Sequence, residues 1–419
     1  MEQSVQPCPE CGAEIRTDPR FTIWCAACDW NVDPGKPEEE PGRLERLRRQ
    51  LARRHGERLF AEVAAGGAPP SRRDAAGFLA YGIALAVHSV TLALLIAGIL
   101  LVVLGWGGPL PVVGVFFLMT TWFLRPRLGR LPADEPVLYR DAAPQLFALI
   151  DEVAAVAGTK GVHAIIVTPA VNASVTTYGI RGRRLLKLGL GLWEITGPQQ
   201  RIALLGHELG HYANGDLRHG PVIANALRSL KMWLYLMEPI RNPTPLEMIL
   251  NVGYFLPRCA VLGLMMALDQ LTLRATQRAE YLADSLAARA GSTEAAVGLM
   301  ERLLVAHSAE STLLREANAG QVVRGKRAAR TEAWRGLWER LAAHMDSIPE
   351  SEHERQRRLG AQRGHSVDST HPPTHLRRAS LLAGAPVPAA VHLEAGWQAA
   401  IATELAASRE RLARLALQL

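Results

Sequence analysis

The hydrophobic pattern begins with an apolar helical hairpin. Residues 78–104 carry no charged side chain over a length that can cross a bilayer, which predicts a transmembrane helix. A turn rich in glycine follows, and 110–124 forms a shorter apolar stretch that ends near Trp122. We therefore predict two antiparallel spans, at about 78–104 and 108–124, in a hairpin region covering 74–128.

Basic residues flank this hairpin on both sides. They are Arg72, Arg73, Arg125, Arg127 and Arg130. Because cytoplasmic loops carry an excess of basic residues, both ends of the hairpin are expected in the cytoplasm. The sequence thus predicts an integral membrane protein whose folded parts face the cytoplasm.

The later chain contains a second apolar region, at about 221–268. Its first half, "PVIANALRSLKMWLYLMEPI", contains Arg228 and Lys231, and its second half, "LEMILNVGYFLPRCAVLGLMMAL", contains Arg258. Charges at such positions make each half a poor span on insertion scales. A second membrane hairpin and a pair of interfacial or buried helices are both compatible with this pattern.

The remaining segments have mixed polarity. Residues 142–157 have helical periodicity, and 162–189 contain β-branched runs that predict two or three strands. Most of the chain after that is helical in pattern, and 386–419 predicts a C-terminal helix. With 48% hydrophobic residues in 419, the chain is expected to form more than one folded unit.

Four of the five cysteines form two Cys-x-x-Cys pairs near the start of the chain: Cys8, Cys11, Cys25 and Cys28. This spacing resembles a zinc ribbon, and it predicts a structural Zn site in a unit covering 1–33. Two disulfides or a redox site are the alternative. Residues 1–40 lack the apolar stretch of a signal peptide, so we expect these thiols in a reducing compartment.

A linker and a basic amphipathic helix are expected at 34–73. Leucines at helical spacing among arginines in 43–58 are compatible with an anionic membrane surface and equally with a solvated helix. The chain has 47 Lys and Arg and 40 Asp and Glu, and the excess of basic residues is concentrated at a few places. The ribbon has too few basic residues for a nucleic-acid reader, so no nucleic acid is expected and a protein contact is favoured.

The segment "HELGH" carries the candidate chemistry. His207 and His211 lie one helical turn apart, so both imidazoles can reach one metal ion while Glu208 points beside it. Downstream, Glu280 is available as a third ligand, and Asp284 can accept the ring N–H of a ligating histidine. The alternative for the last two residues is a solvated acidic face.

Taken together, these motifs resemble the family of membrane zinc metallopeptidases that includes HtpX and the CAAX prenyl endopeptidases. The resemblance covers roughly 130–385, and the corresponding domain is placed at 129–385. It depends on "HELGH" with Asn214 and Asp216, on "EYLAD" at 280–284, on "NASVTTYG" at 172–179, and on "STHPPTHLRRASLL" at 369–382.

The resemblance implies a fold and a set of roles. The fold class would be mainly α, with a transmembrane hairpin, an α+β zincin-type metallopeptidase domain of the gluzincin kind, and a small N-terminal zinc ribbon. Glu280 would be the third ligand of the catalytic Zn. Substrate backbone would bind by edge addition along Asn172, Ala173, Ser174 and Val175.

The expected reaction is hydrolysis of peptide bonds in protein substrates. A zinc ion at this site would activate water, and Glu208 would act as general base and then return the proton to the leaving amine. His371 or Arg377 is the candidate donor to the oxyanion, with pairing of Arg377 to Asp284 as the alternative. The resemblance to HtpX suggests quality control of membrane proteins.

A rival function is a catalytically silent zinc-binding membrane scaffold that recruits partners through the ribbon. Glu208 argues against it, because a purely structural site needs no carboxylate beside its ligands. Closed structural sites also tend to have four protein ligands rather than three.

Overall fold

The computed structural model describes residues 4–35, 54, 56–65, 75–125, 131–132, 135–179, 181–213, 221–322, 334–363 and 372–416, without the side chains of 221, 274 and 320–322. Several positions used above lie outside these ranges. They include most of the predicted linker and basic helix, the flanking arginines other than Arg125, the segment 214–220, and His371.

Helices dominate the described part of the chain. The strands are β1 Ser4–Pro7, β2 Glu14–Thr17, β3 Val137–Leu138, β4 Ala164–Thr168, β5 Ala173–Tyr178 and β6 Arg183–Gly189. The helices are α1 Ala75–Leu104, α2 Leu110–Leu124, α3 Pro144–Val156, α4 Leu190–Ile195, α5 Pro198–Ala213, α6 Pro221–Leu236, α7 Pro245–Gly291, α8 Thr293–Leu304, α9 Ala306–Val322, α10 Leu337–Asp346, α11 Glu350–Arg363, α12 Thr374–Ala383 and α13 Ala395–Ala416.

The first apolar pair, α1 and α2, packs as a tight hairpin. A Cβ at Gly114 would lie 2.8 Å from the carbonyl oxygen of Gly98, so only glycine permits this crossing. Most large apolar side chains of both helices point outward and are exposed. Such an outward apolar surface is expected of helices solvated by lipid.

Among the described residues, two helices are long and apolar enough to cross a membrane: Ala75–Leu104 and Pro245–Leu273, the latter being the first part of α7. Helix α2 is apolar but has 15 residues, about 22 Å at 1.5 Å per residue. Only 6% of the most apolar window in Pro245–Leu273 is buried. The second apolar region therefore presents an exposed apolar surface, as the first does.

The charged residue in the middle of this second region has a structural use. Arg258 Nη1 donates to the carbonyl oxygens of Leu234 and Met237, at 3.2 and 3.3 Å, at the end of α6. These carbonyls have no partner within their own helix, and a cation there is favourable to the helix dipole. On α1, His88 Nε2 lies 3.1 Å from the carbonyl oxygen of Val222. Arg258 thus satisfies carbonyl groups at the carboxyl end of α6, while His88 connects α1 to its amino end.

A small mixed sheet lies at the start of the later domain, in the order β3-β4-β6-β5. Strands β4 and β6 are parallel, and β5 is antiparallel to β6. After β4, the chain thus forms the outer strand β5 first and then returns as β6, which lies between β4 and β5. Because β6 occupies the inner position, β5 is an edge strand of the sheet.

The main core joins the sheet to α3, α5, the second half of α7, and the later helices. A separate core joins α1, α6 and the first half of α7, around Ala84, Leu230 and Leu268. Helix α7 therefore belongs to both the apolar bundle and the mixed domain. The predicted fold class is confirmed: a mainly α protein with apolar helices, a small sheet and a cysteine-rich N-terminal unit.

Candidate metal centre

Two glycines let the helix carrying "HELGH" approach α7 closely. A Cβ at Gly206 would lie 3.0 Å from Ala287 Cα, and one at Gly210 would lie 3.0 Å from Ala283 Cα. These separations are tighter than ordinary van der Waals contact, so a side chain there would push the helices apart. The close approach of α5 and α7 brings residues 73 positions apart in sequence, His207 and Glu280, to one point.

His207, His211 and Glu280 form a buried three-residue cluster. Each offers one ligand atom, and these atoms lie within 4.8 Å of one another. His207 Nε2 is 3.5 Å from Glu280 Oε2, and His211 Nε2 is 3.6 Å from Glu280 Oε1. The two imidazole rings are nearly perpendicular, with centroids 4.9 Å apart.

These separations fit a zinc ion. Tetrahedral ligands at 2.0–2.2 Å from zinc lie roughly 3.3–3.6 Å from one another. The two nitrogen–oxygen distances have that spacing, one to each oxygen of Glu280, and the three ligand atoms together lie within 4.8 Å. Two imidazoles and one carboxylate are also the donor set of catalytic sites that keep a fourth position for water or substrate.

Asp284 and Arg377 lie behind His207. Asp284 Oδ1 is 3.0 Å from His207 Nδ1, so an N–H at Nδ1 donates to the carboxylate and leaves Nε2 for a metal. Arg377 donates to both oxygens of Asp284, from Nε at 2.8 Å and from Nη2 at 2.5 Å. Its Nη2 is also 3.2 and 3.4 Å from the two ring nitrogens of His207, which places it beside the ring. Of the two roles weighed for Arg377, the geometry matches pairing with Asp284.

This pair is deeply buried, with 1% of Asp284 and 5% of Arg377 exposed. Burial alone would raise the pKa of Asp284, but attraction and hydrogen bonds from Arg377 outweigh it and hold that pKa below its usual value. Burial lowers the pKa of Arg377, and the neighbouring Asp284 more than offsets this, so the net pKa is raised. Both groups are therefore charged at neutral pH.

Glu208 is buried beside the cluster, with 7% of its surface exposed. It follows His207 on α5, the helix that also carries His211. His371, the other candidate donor, lies outside the described residues.

The edge strand β5 is attached to α5 by Tyr212. The phenol donates to the carbonyl oxygen of Thr176, and it lies 3.4 Å from that of Leu185 on β6. Burial raises the pKa of Tyr212 to about 12, so the phenol keeps its proton at neutral pH. The sequence analysis did not predict this role of Tyr212. A tyrosine directly after the second histidine was the available signal.

The four residues predicted to bind substrate backbone lie where β5 begins. Ala173 pairs with Leu188 and Ser174 with Lys187, while Asn172 precedes the strand and its Oδ1 accepts from the amide of Ala173 at 2.8 Å. Val175 points into the core. A groove of ≈ 740 Å³ adjoins these residues and is lined on its far side by Leu313, Leu314 and Ala317 of α9.

The cysteine cluster has the spacing of a second zinc site. Cys8 Sγ is 3.7 Å from Cys28 Sγ, and Cys11 Sγ is 3.6 Å from Cys25 Sγ. Tetrahedral sulfur ligands about 2.3 Å from zinc lie roughly 3.8 Å apart. None of the five cysteines, all of which the structure describes, forms a disulfide.

Sequence reasoning left the contact of the ribbon unassigned, and the structure shows it. Arg355 of α11 donates to the carbonyl oxygen of Val32 at 2.8 Å, and Arg363 pairs with Asp33 at 2.6 Å. The ribbon therefore packs on the same chain. No sequence signal identified this contact, because 350–369 has the composition of an exposed polar interruption.

The apolar helices together with a His-His-Glu cluster define a membrane-associated protein with a metallopeptidase-type site. A family model described as "Peptidase family M48" matches residues 141–384, more than half of the chain. The chain belongs to this family, and the predicted relation to HtpX-like metallopeptidases is confirmed.

Curated relatives support the same class. "Protease HtpX" of Stutzerimonas stutzeri (strain A1501) is 26% identical over 167 residues, covering 38% of this chain and 56% of the relative. The protein of that name from Pseudomonas putida (strain GB-1) is 24% identical over 212 residues, with 48% and 68% covered. That from Pseudomonas aeruginosa (strain LESB58) is 26% identical over 247 residues, with 54% and 81% covered. The chain thus spans little more than half of the first relative, and no solved structure matches it.

Proposed function

We propose that this protein is a membrane-bound zinc endopeptidase that hydrolyses peptide bonds of protein substrates. The observation that carries the proposal is the meeting of His207, His211 and Glu280 at the spacing of zinc ligands, with Glu208 on the same helix. A catalytic zinc would be held by these three residues, and a structural zinc by the four cysteines of the ribbon. Membership of a peptidase family supports the assignment.

A zinc ion bound at this site would polarise a substrate carbonyl and lower the pKa of water. Glu208 accepts the proton from that water and returns it to the leaving amine. Asp284 keeps the proton of His207 on Nδ1, and Arg377 holds Asp284 in its ionised form. The charge of the ligand sphere is thereby fixed while Glu208 carries the proton.

The edge strand β5 supplies the binding mode for substrate. One side of β5 pairs with β6, and no other described strand lies on the opposite side. An extended peptide can add there through main-chain hydrogen bonds, which do not depend on side-chain identity. Such recognition suits a protease that acts on unfolded segments of many proteins, and it agrees with a role in membrane protein quality control.

Helix α7 connects the site to the bilayer. Glu280 lies seven residues after Leu273, the end of the apolar part (280 − 273 = 7), which is about 10 Å of helix. The metal centre is therefore held close to the membrane surface. Arg125 directly after α2 supports placement of this surface on the cytoplasmic side of a bacterial inner membrane.

The test is cleavage of an unfolded casein-like substrate by the detergent-purified protein, with zinc counted per chain. Three proteins are compared: the wild type, Glu208→Gln, and the control Glu152→Gln, which changes an exposed glutamate of α3. We expect two zinc ions per chain in all three. Loss of the general base should lower kcat by about 10²–10⁴-fold in Glu208→Gln alone.

Two outcomes would contradict the proposal. Cleavage by Glu208→Gln at the rate of the wild type would exclude Glu208 as the base. Absence of cleavage by a wild-type protein that holds both zinc ions would favour the scaffold function, in which the metal only joins α5 to α7.

A further inference from the structure

The ribbon contacts α11 through the loop that would hold its metal. Arg358 Nη1 donates to the carbonyl oxygen of Ala26 and to Asp29 Oδ1, both at 2.6 Å. Ala26 lies between Cys25 and Cys28, and Asp29 follows Cys28 with a left-handed backbone at φ 60°. The surface that Arg358 recognises thus exists only while this thiolate loop keeps its fold.

Further contacts on both sides make this interface specific. The indole of Trp24 donates to the carbonyl oxygen of Ser351 at 3.2 Å, and the Arg358 guanidinium lies 5.1 Å from the centre of the Trp24 ring. Arg355, which is 6% exposed, reaches Val32 while it pairs with the equally buried Glu352. A buried arginine that donates to the ribbon backbone is a built contact rather than a chance surface approach.

The residue before Arg358 on α11 forms a second contact. Arg357 donates to both carboxylate oxygens of Glu301 on α8, at 2.8 and 2.7 Å, and Arg378 of α12 pairs with the same carboxylate. Burial raises the pKa of Glu301, but its basic neighbours outweigh this and bring the pKa to about 2. Glu301 therefore stays ionised and joins α11 to α12.

Helix α12 extends these contacts to the metal centre. Arg378 follows Arg377, which holds Asp284 and lies beside His207. Two adjacent pairs of arginines, 357–358 and 377–378, thus connect the thiolate loop to the second layer of the metal site through Glu301. Charged hydrogen bonds connect Arg358 to Asp29, Arg357 and Arg378 to Glu301, and Arg377 to Asp284, and the helix backbone joins the two arginines of each pair.

We propose that the ribbon is an intramolecular clamp whose metal-dependent fold positions Arg377 at the candidate active site. The clamp makes peptidase activity depend on the state of the four thiolates, so loss of the ribbon zinc weakens the hold of α12 on Asp284. This inference rests on the proposed function for its consequence. The coupling between ribbon and α12 is a property of the fold and is measured without any substrate.

The measurement is hydrogen exchange of the full-length protein in detergent, read on the peptides of α11 and α12. Cys28→Ser opens the thiolate loop, and Arg358→Ala removes the contact while all four cysteines remain. Arg16→Ala is the matched control, since Arg16 is an exposed arginine of the same ribbon. We expect the first two variants to speed exchange in α12 by at least about fivefold, and the control to equal the wild type.

The series through Glu301 is tested by a double-mutant cycle. In a Glu301→Gln background, adding Arg358→Ala should still speed exchange in α11 but should change α12 no further, because the ion pairs that join α11 to α12 through Glu301 are already lost. Arg358→Lys keeps a donor and a charge, and it should restore much of the protection. On a peptide substrate, Arg358→Ala should lower kcat and leave KM unchanged, since no residue of β5 is affected.

The proposal is overturned if Cys28→Ser loses one zinc ion and loosens α11 while exchange in α12 stays within twofold of the wild type. It is likewise overturned if Glu301→Gln and Arg358→Ala act additively on α12. These exchange results do not involve Glu208 or any cleavage, so failure of the peptidase assignment would be recognised separately.

Discussion

Replacing Arg377 by leucine should destabilise the candidate metal site through Asp284, which contacts His207. Arg377 touches Asp284 through two hydrogen bonds and touches none of the described ribbon residues. The substitution leaves an ionised carboxylate buried without its counter-charge, since only 1% of Asp284 is exposed. Breaking one partner of a buried ion pair costs far more than losing a surface pair.

The magnitude follows from the burial of both groups. Removing one partner of a buried pair destabilises a protein by about 3–5 kcal/mol. At about 2–4 °C for each kcal/mol, the apparent melting temperature should fall by at least about 6 °C. Zinc affinity should fall about 10–100-fold, because Arg377 would no longer hold in place the carboxylate that orients His207.

The pH dependence of stability that comes from Asp284 should also change sign. In the wild type the pKa of Asp284 is depressed, so its stabilisation is present above the ordinary carboxyl pKa of about 3.9 and is lost only as the pH falls through the depressed value. Without Arg377, only His207 opposes the effect of burial, so we expect burial to raise the pKa of Asp284 above the unfolded value. Stability of the zinc-free variant, relative to the wild type, should then fall as the pH rises above about 4.

The assay is thermal unfolding of detergent-solubilised protein from pH 5 to 8, with zinc affinity measured by chelator competition. The double variant Asp284→Asn, Arg377→Leu is the matched control, because it removes both charges. It should recover most of the lost stability but little of the zinc affinity. If Arg377→Leu melted within about 2 °C of the wild type and bound zinc equally well, the account of this buried pair would be refuted.

Three further results are expected. Gly206→Val should lower the melting temperature by the equivalent of about 1–3 kcal/mol and should reduce zinc content. The control Gly263→Ala, at an open position of α7, should change neither. Equal effects of the two substitutions would exclude close helix packing as the cause. Tyr212→Phe, which loses the hydrogen bond to Thr176, should raise KM for protein substrates more than it lowers kcat; a change in kcat alone would contradict an anchoring role for β5. Cys259 lies in the apolar part of α7, so in sealed vesicles it should not react with a membrane-impermeant maleimide until detergent is added, as measured by mass spectrometry. Rapid labelling in intact vesicles would show that Cys259 is exposed to water.

Local chemistry explains why the metal centre could be predicted. "HELGH" fixes two imidazoles on one face of α5 by helical geometry alone, and Glu280 and Asp284 have the same spacing on α7. The cysteine spacing determines the ribbon in the same way. In each case a short motif carries its own geometry, and the remaining question is which two motifs meet.

Contacts between side chains that are distant in sequence could not be predicted from such motifs. Arg377 was weighed between two roles, because nothing in "THLRRASLL" says which arginine faces the metal site and which faces Glu301. The structure separates the two by helical rotation: Arg377 is 5% exposed and points to Asp284, while Arg378 is partly exposed and points to α8. The docking of the ribbon on α11 was missed for a similar reason, since arginines that bind backbone carbonyls resemble solvated ones.

The two apolar regions show how a charge can mislead a prediction of membrane spans. Arg258 weakens the second region on any hydropathy scale, yet its guanidinium satisfies the end of α6. A charge that neutralises helix-end carbonyls does not face lipid, so its insertion cost is smaller than the scale assumes. Because α7 then continues without a break to Glu280, the residue that argues against a span also helps to anchor the helix that carries a candidate metal ligand.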